Sequence, residues 1–424
     1  MRKLFIILCG VILLAGCKKD NDEPVKKDTQ RTVVVYISGD NDLSDHGAPA
    51  SDINEMKEGA TDIPSDGRLV VFVDRKSGNE KPFIAEIKND KNQPVDTLFK
   101  YSTDLYASDP NLFSEVLERV AGLCPSKEYG LVLWGHGSGW IVERDTVAQH
   151  RAYGIDETGS GSGGKWMNIT QMASALKDLQ TKNVMPKLSY IFADCCNMMC
   201  VEAAYELKDV TEYMIGSPAE IPGYGAPYQL MVQQLFKSGS NLYRGIIDTY
   251  YNYYADFDNL NYGERNSWPY MKDGYSVPLS VIDTKYVGEL ANMTHDMLER
   301  AQGGYPMYPE TPDLSGIAFY LYNPIDIMYD MRAIMERLLS AEDFTTWDST
   351  YQQAVPYYRM SMKWMTALQA HTFSTFDPNL KYGCVSMFIP RKGPSYSYGS
   401  MPMNKTVQNF VWSRIIDWTR FGWE

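Results

Sequence analysis

The sequence predicts an α/β fold in which helices layer on a mostly parallel sheet. Five short runs are apolar at successive positions, as strands buried on both faces are. Amphipathic stretches of helical period lie between them, and this alternation is the order a layered α/β sandwich requires. The 424 residues, 44% hydrophobic and 22% charged, suffice for a large core or two domains.

The N-terminal stretch stands outside that fold. Arg2 and Lys3 precede an apolar run of about a dozen residues and small residues before Cys17, which reads as an export signal, too short to span a bilayer. "LAGC" resembles the lipobox of bacterial lipoproteins. That resemblance implies cleavage before Cys17, a lipid on Cys17 and a lipid-anchored protein of the cell envelope; an ordinary secretory signal cut nearby is the alternative. Residues 1–16 are then signal peptide, and polar residues 17–30 a flexible tether.

The strands follow. "TVVVYIS" (32–38), "RLVVFVD" (68–74), "YGLVLWG" (129–135), "LSYIFAD" (188–194) and "EYMIGS" (212–217) are β-branched or aromatic and bounded by turn residues. Residues 82–101 read as a hairpin on one edge. Helices are expected over 111–123, over 169–180 with Asn168 and Gln171 forming a capping box, and over 198–207. These place a catalytic domain over 31–270. In the C-terminal region, 271–424, "YSVPLSVID", "SGIAFYLYN" and "KYGCVSMFI" read as strands, among helices at 285–302, 324–340 and 406–417. Extension of the same sheet and a separate domain are both open.

Charge and cysteine content exclude some functions. Removing Arg2 and Lys3 takes the formal net charge from −13 to −15, which argues against a nucleic-acid partner. Of seven cysteines, Cys9 and Cys17 belong to the signal. The odd remainder, with Cys195, Cys196 and Cys200 crowded together, is no disulfide framework.

In open α/β sheets, working residues gather past the carboxyl ends of strands. There "GHGSGW" sets His136 between glycines, and "DCC" follows the strand ending at 194. An imidazole beside a thiol can take its proton or stabilise the thiolate. Gly137 would let a carbonyl approach backbone N–H groups able to hold an oxyanion. A buried core cysteine and a satisfied loop histidine are the alternative.

The wider pattern resembles the clostripain family of cysteine endopeptidases, in the caspase-like clan with gingipains and legumains. The blocks carrying it are "RTVVVYISGDNDLSDHGAPASDINEM" (31–56), "LVLWGHGSGW" (131–140), "FADCCNMMCVEAAYEL" (192–207) and "YMIGSPAEIPGYGAPY" (213–228). The resemblance implies a caspase-haemoglobinase-like three-layer sandwich, a His-Cys dyad, and cleavage of polypeptides after Arg or Lys. It puts the dyad on His136 and Cys196, and the oxyanion donors on Gly137 and Cys196. Cys195, where the family has alanine, should point away, because side chains alternate along a strand; Cys200 reads as helix packing. Asp194 is implied to bind the basic side chain, helix capping or orienting His136 being its alternatives, and Ser217 resembles a further pocket residue. Asn197 departs from the apolar residue usual there.

Other motifs are declined. "GSGSGG" (159–164) has Trp166 where a phosphate loop needs Ser or Thr, and no strand leads into it. "DNDLSD" (40–45) lacks the Gly and Glu of a calcium loop and reads as a turn and cap. No cofactor and no metal ligand set is readable; calcium stays open because some clostripain relatives depend on it. The polar loop 138–164 should be exposed and cuttable, an ordinary surface loop being the alternative; the resemblance implies self-cleavage in this interval, and Arg151 is the first candidate, with Arg144 and, just past the loop, Lys165 as lesser ones. Two rival functions remain: an inactive surface lipoprotein binding glycans or proteins through its 30 tyrosines, and a thiol amidase acting on small molecules.

Overall fold

The computed structural model describes residues 29–76, 80–141, 153–157, 164–256, 274–301, 314–322, 326–366, 370–372, 376–390, 397–398 and 401–418. Each long apolar run is a strand. β1 (Arg31–Gly39) and β2 (Gly67–Arg75) precede the hairpin of β3 (Phe83–Ile87) and β4 (Val95–Lys100). β5 (Glu128–Gly135), the short hairpin β6 (Tyr153–Asp156) and β7 (Lys165–Met167), β8 (Tyr190–Asp194) and β9 (Tyr213–Gly216) follow. The later strands are β10 (Leu279–Asp283), β11 (Phe319–Tyr322), β12 (Asp326–Asp330), β13 (Tyr357–Arg359), β14 (Lys363–Met365), β15 (Ala370–Thr372) and β16 (Ser386–Met387).

A nine-stranded sheet runs in the order β13-β10-β9-β8-β5-β1-β2-β3-β4. The five strands from β9 to β2 are parallel, and antiparallel pairs finish both edges. The hairpin read at 82–101 is the β3–β4 edge. β10 and β13, from the stretch after residue 271, close the opposite edge of this same sheet. β11, β12 and β16 form a separate small sheet.

Both faces of the main sheet are covered. Val33, Val35 and Ile37 of β1 enter one core, packed beneath α2 (Ala48–Gly59), α6 (Tyr228–Leu235) and α7 (Gly239–Ala255). Val34 and Tyr36 enter the other, beneath α3 (Pro110–Leu123), α4 (Ile169–Thr181), α5 (Val201–Leu207) and α8 (Val287–Ala301). The alternation leaves no polar face, so these strands read as continuous apolar runs. The chain is a three-layer α/β sandwich.

Local caps set the helix starts. Asp109 accepts the N–H groups of Asn111 and Leu112 at the start of α3, and Asn168 and Gln171 form the expected capping box of α4. Three sequence expectations need correction. The helix expected at 198–207 begins only at Val201. The stretch 324–340 is β12 followed by α9 (Met331–Leu338), with α10 (Ala341–Ala354) after it, and 406–417 divides into the end of α11 (Met403–Val407) and α12 (Val411–Ile416).

Asp330 fastens the small sheet. Its carboxylate accepts the Tyr320 hydroxyl at 2.6 Å and the N–H groups of Ala333, Gly383 and Cys384. From that sheet Ser386 N–H donates to the Met199 carbonyl at 2.9 Å, which braces the turn after β8.

Candidate active site

The chain leaves β1 toward β2 and leaves β5 toward β8, in opposite directions along the sheet, so the carboxyl ends of these strands open a crevice there. Pairing register places Trp134 of β5 beside Asp194 of β8. Two residues further along the chain in each case, just past the strand ends, stand His136 and Cys196, and both line one cleft of about 410 Å³. Asp42, Trp134, Gly137, Asp194, Glu220, Ile221 and Gly225 line it too, with Leu321 and Met365 from the C-terminal region.

The turn after β8 has a local cause. Asn197 has φ 59°, a left-handed conformation that Asn tolerates better than the apolar residue the pattern would put there. Asn197 N–H donates to Ala219 and Met199 N–H to Ser217, so the chain folds back before α5 can begin. Cys200 is consequently the N-cap of α5, buried against the core, rather than part of a helix that includes Cys196.

The adjacent cysteines part company in the turn just past the end of β8. Cys195 is fully buried, and burial pushes its thiol well above the ordinary value; the charge of a Cys196 thiolate acts in the same direction. Cys196 alone of the five described cysteines is part-exposed. Its Sγ lies 3.4 Å from Ile221 N and 4.0 Å from Ile221 O. A β-carbon on Gly137 would come 2.6 Å from the Cys196 carbonyl oxygen, so only glycine fits where the two strand ends meet.

His136 has a partner the sequence did not disclose. Its Nε2 lies 2.6 Å from Asp42 Oδ1, just past the end of β1, in the short helix α1 (Asp42–Asp45). The His136 hydrogen bond holds the Asp42 carboxyl below the usual carboxylate range. An ionised carboxylate only accepts, so Nε2 carries the hydrogen and Nδ1 is left as the basic nitrogen. The remainder of "DNDLSD" turns and caps the chain: Asn41 accepts the Leu43 N–H, and Asp45 pairs with Lys76. Among the described residues no group of three or more His, Cys, Asp or Glu side chains has a metal-holding arrangement.

Asp194 lies in the cleft, 2% exposed. It accepts the Ala226 N–H at 3.1 Å and hydroxyls from Tyr228 at 2.9 Å and Tyr250 at 3.0 Å. Burial raises its carboxyl, and those three donors pull it back toward the ionised form. It neither caps α5 nor hydrogen-bonds His136. Ser217 is not among the residues that line the cleft. It is fully buried behind the cleft wall, and its hydroxyl accepts the Ala219 N–H at 3.1 Å, which shapes the loop carrying Glu220 and Ile221. Cys17, Arg144 and Arg151 lie outside the described residues. Lys165 is in β7, with its ammonium 3.9 Å from the centre of the Tyr106 ring.

Residues 35–374 match the clostripain family of peptidases. Among solved structures, the chain is similar to a secreted C11 cysteine protease from Bacteroides thetaiotaomicron in complex with an irreversible peptide inhibitor. Identity is 27% and the TM-score 0.72, over 92% of this chain and 99% of that one. An inactive zymogen C11 protease from Parabacteroides distasonis has the same fold at 23% identity and TM-score 0.69, covering 91% of this chain and 97% of that one. No curated protein sequence matches.

Proposed function

The chain belongs to the clostripain family of cysteine proteases, and from that premise we propose that it is an exported endopeptidase cleaving after Arg or Lys through a His136–Cys196 dyad. The observation that carries this is the shared cleft: His136 and Cys196 stand two residues past paired positions on adjacent parallel strands, with a carboxylate, Asp194, in the same wall.

The residues divide the work as follows. Asp194 attracts the positive side chain that precedes the scissile bond. His136 Nδ1 takes the Cys196 proton, and the sulfur attacks the carbonyl carbon. Backbone N–H groups of Gly137 and Cys196 hold the oxyanion. When the C–N bond breaks, His136 gives the proton to the leaving amine and the acyl group stays on sulfur as a thioester. His136 then deprotonates water, which attacks the thioester and restores the thiol. Asp42 keeps the ring in the required tautomer throughout.

Export is supported by the N-terminal basic and apolar pattern, and a structural relative is itself described as secreted. Cys17 is the proposed lipid anchor, which would fasten the enzyme to the envelope membrane; among the described residues no helix is long and apolar enough to cross one. Self-cleavage after Arg151 would sever the connection between β5 and β6. Antiparallel pairing of Gly137 with Tyr153 and the Gly154 N–H donated to the His136 carbonyl would keep the new terminus beside the cleft.

A panel of fluorogenic peptides differing only before the scissile bond tests the reading. Cleavage after Arg and Lys alone, absent in Cys196→Ala, is the expected result. Cleavage that survives Cys196→Ala, or indifference to the basic residue, overturns it. In the same preparations Cys196→Ala is expected to remain one chain.

A further inference from the structure

Asp194 has little of its carboxylate left to offer. A carboxylate has about four lone-pair positions, and a guanidinium fork takes one on each oxygen. Ala226 and Tyr228 already occupy Oδ2, and Tyr250 occupies one position on Oδ1. What remains suits a single N–H.

A second acceptor lies across Gly225, a residue of the cleft wall with φ +63°. The point where its β-carbon would stand is 2.9 Å from Asp194 Oδ2 and 3.3 Å from Asp52 Oδ2. The two oxygens therefore lie within about 6 Å of each other, so the carboxyl groups stand side by side, and a cation seated on the remaining Asp194 Oδ1 position can turn a further N–H toward Asp52. Asp52 comes from α2 and is 1% exposed; it accepts the indole N–H of Trp134 at 2.5 Å, and Trp134 lines the cleft. A buried acid on an otherwise ordinary amphipathic helix is costly unless something compensates it.

We propose that Asp52 is a second specificity-determining acid: the guanidinium or ammonium of the residue before the scissile bond docks between Asp52 and Asp194 over Gly225, and the pair sets the restriction to Arg and Lys. This rests on the reading that Cys196 cleaves peptides in this cleft. The surroundings fit a site short of one positive charge. Facing Asp52 are Asp194 from β8, Trp134 from β5, Tyr228 from α6 and Glu55 from its own helix, with no basic side chain among them. Burial first, then the Asp194 charge, pushes the Asp52 carboxyl well above its ordinary range, and a nearby cation acts in the opposite direction, favouring the ionised form. Arg gains more than Lys from the arrangement, because its planar five-donor fork spans separated acceptors that a compact ammonium does not.

The test compares wild type, Asp52→Asn and Asp194→Asn on peptides with Arg, Lys or the neutral Arg isostere citrulline before the scissile bond. The readout is the ratio of kcat/KM values within each protein, which does not depend on the folded fraction. Removing one member of a buried charge pair is expected to cut the Arg-to-citrulline ratio about 30-fold or more in Asp52→Asn, and Arg more than Lys. An unchanged ratio in Asp52→Asn, beside a wild type that demands Arg or Lys, overturns the role of Asp52 alone. A wild type indifferent to Arg and Lys overturns the proposed function along with it.

Discussion

Replacing Asp42 by asparagine measures how firmly His136 is held. The Asp42 Oδ1–His136 Nε2 bond is short, 2.6 Å, which would suggest a strong charge-assisted contact worth about 1.5–3 kcal/mol if protected from water. The side chains are 65% and 29% exposed, however, and exposed ion pairs deliver only about 0.2–1 kcal/mol. Solvent screening decides the matter. Asparagine accepts the Nε2 hydrogen when its carbonyl faces the ring, and in that orientation the tautomer is kept while the charge is lost. The expected effect is therefore roughly fivefold on the rate, near 1 kcal/mol, far from the ~10⁴-fold loss when the buried carboxylate of a serine-protease triad is replaced. The assay is alkylation of Cys196 by iodoacetamide, which needs no substrate pocket; the other four described cysteines are buried and should stay silent. Raising salt to about 1 M should narrow the gap between wild type and variant, because the pair is exposed. No change at low salt would refute the positioning role. A loss beyond about 100-fold would refute the argument from exposure.

Other outcomes follow from the same geometry. Gly137→Ala should fold yet lose on the order of 10²-fold or more in kcat, since its methyl would displace the Cys196 carbonyl, 2.6 Å away, and the adjoining oxyanion donors; steady-state kinetics with a circular dichroism melt checks both halves. Cys195→Ala should keep near-normal kcat/KM while losing about 1–2 kcal/mol of stability in urea, because that thiol fills core space and does no chemistry. Glu202 is buried, with Oε1 accepting the Phe388 N–H and Oε2 buried without a partner, and burial raises its carboxyl from near 4.5 to about 7. The folded state then binds more protons than the unfolded state between these values, so Glu202 costs stability progressively as pH rises from about 4.5 to 7. Glu202→Gln should consequently be more stable than wild type at pH 8, by on the order of 2 kcal/mol, with little difference at pH 4.5, as thermal melts at the two pH values will report.

The parts legible in the sequence were those governed by local pattern. The runs at 32–38, 68–74 and 129–135 announced buried parallel strands because both faces are covered, and Asn168 with Gln171 announced a helix start. His136 and the stretch "DCC" drew attention because strand ends in an α/β sheet collect functional residues, and the family resemblance then singled out Cys196 as the candidate. What escaped depends on distant contacts. Asp42 reads locally as a turn acid, and only the β1–β5 pairing brings it to His136. Asp52 sits in α2 with nothing in its helical phase to distinguish a buried acid from an exposed one. The late start of α5 follows from the left-handed Asn197 and from carbonyls at 217 and 219, neither visible in the apolar periodicity of 198–207. In 324–340 the short strand β12 abuts α9, and Met328 takes a left-handed φ of 57°, which no propensity predicts for methionine.

The identity of the nucleophile is best settled by treating the protein with a peptidyl chloromethyl ketone ending in lysine and locating the adduct by fragment-ion mass spectrometry. One adduct per chain, on Cys196 and absent from both Cys196→Ala and His136→Ala, is the predicted result. An adduct on Cys195 or Cys200, or equal labelling of Cys196→Ala, would contradict the assignment of the dyad.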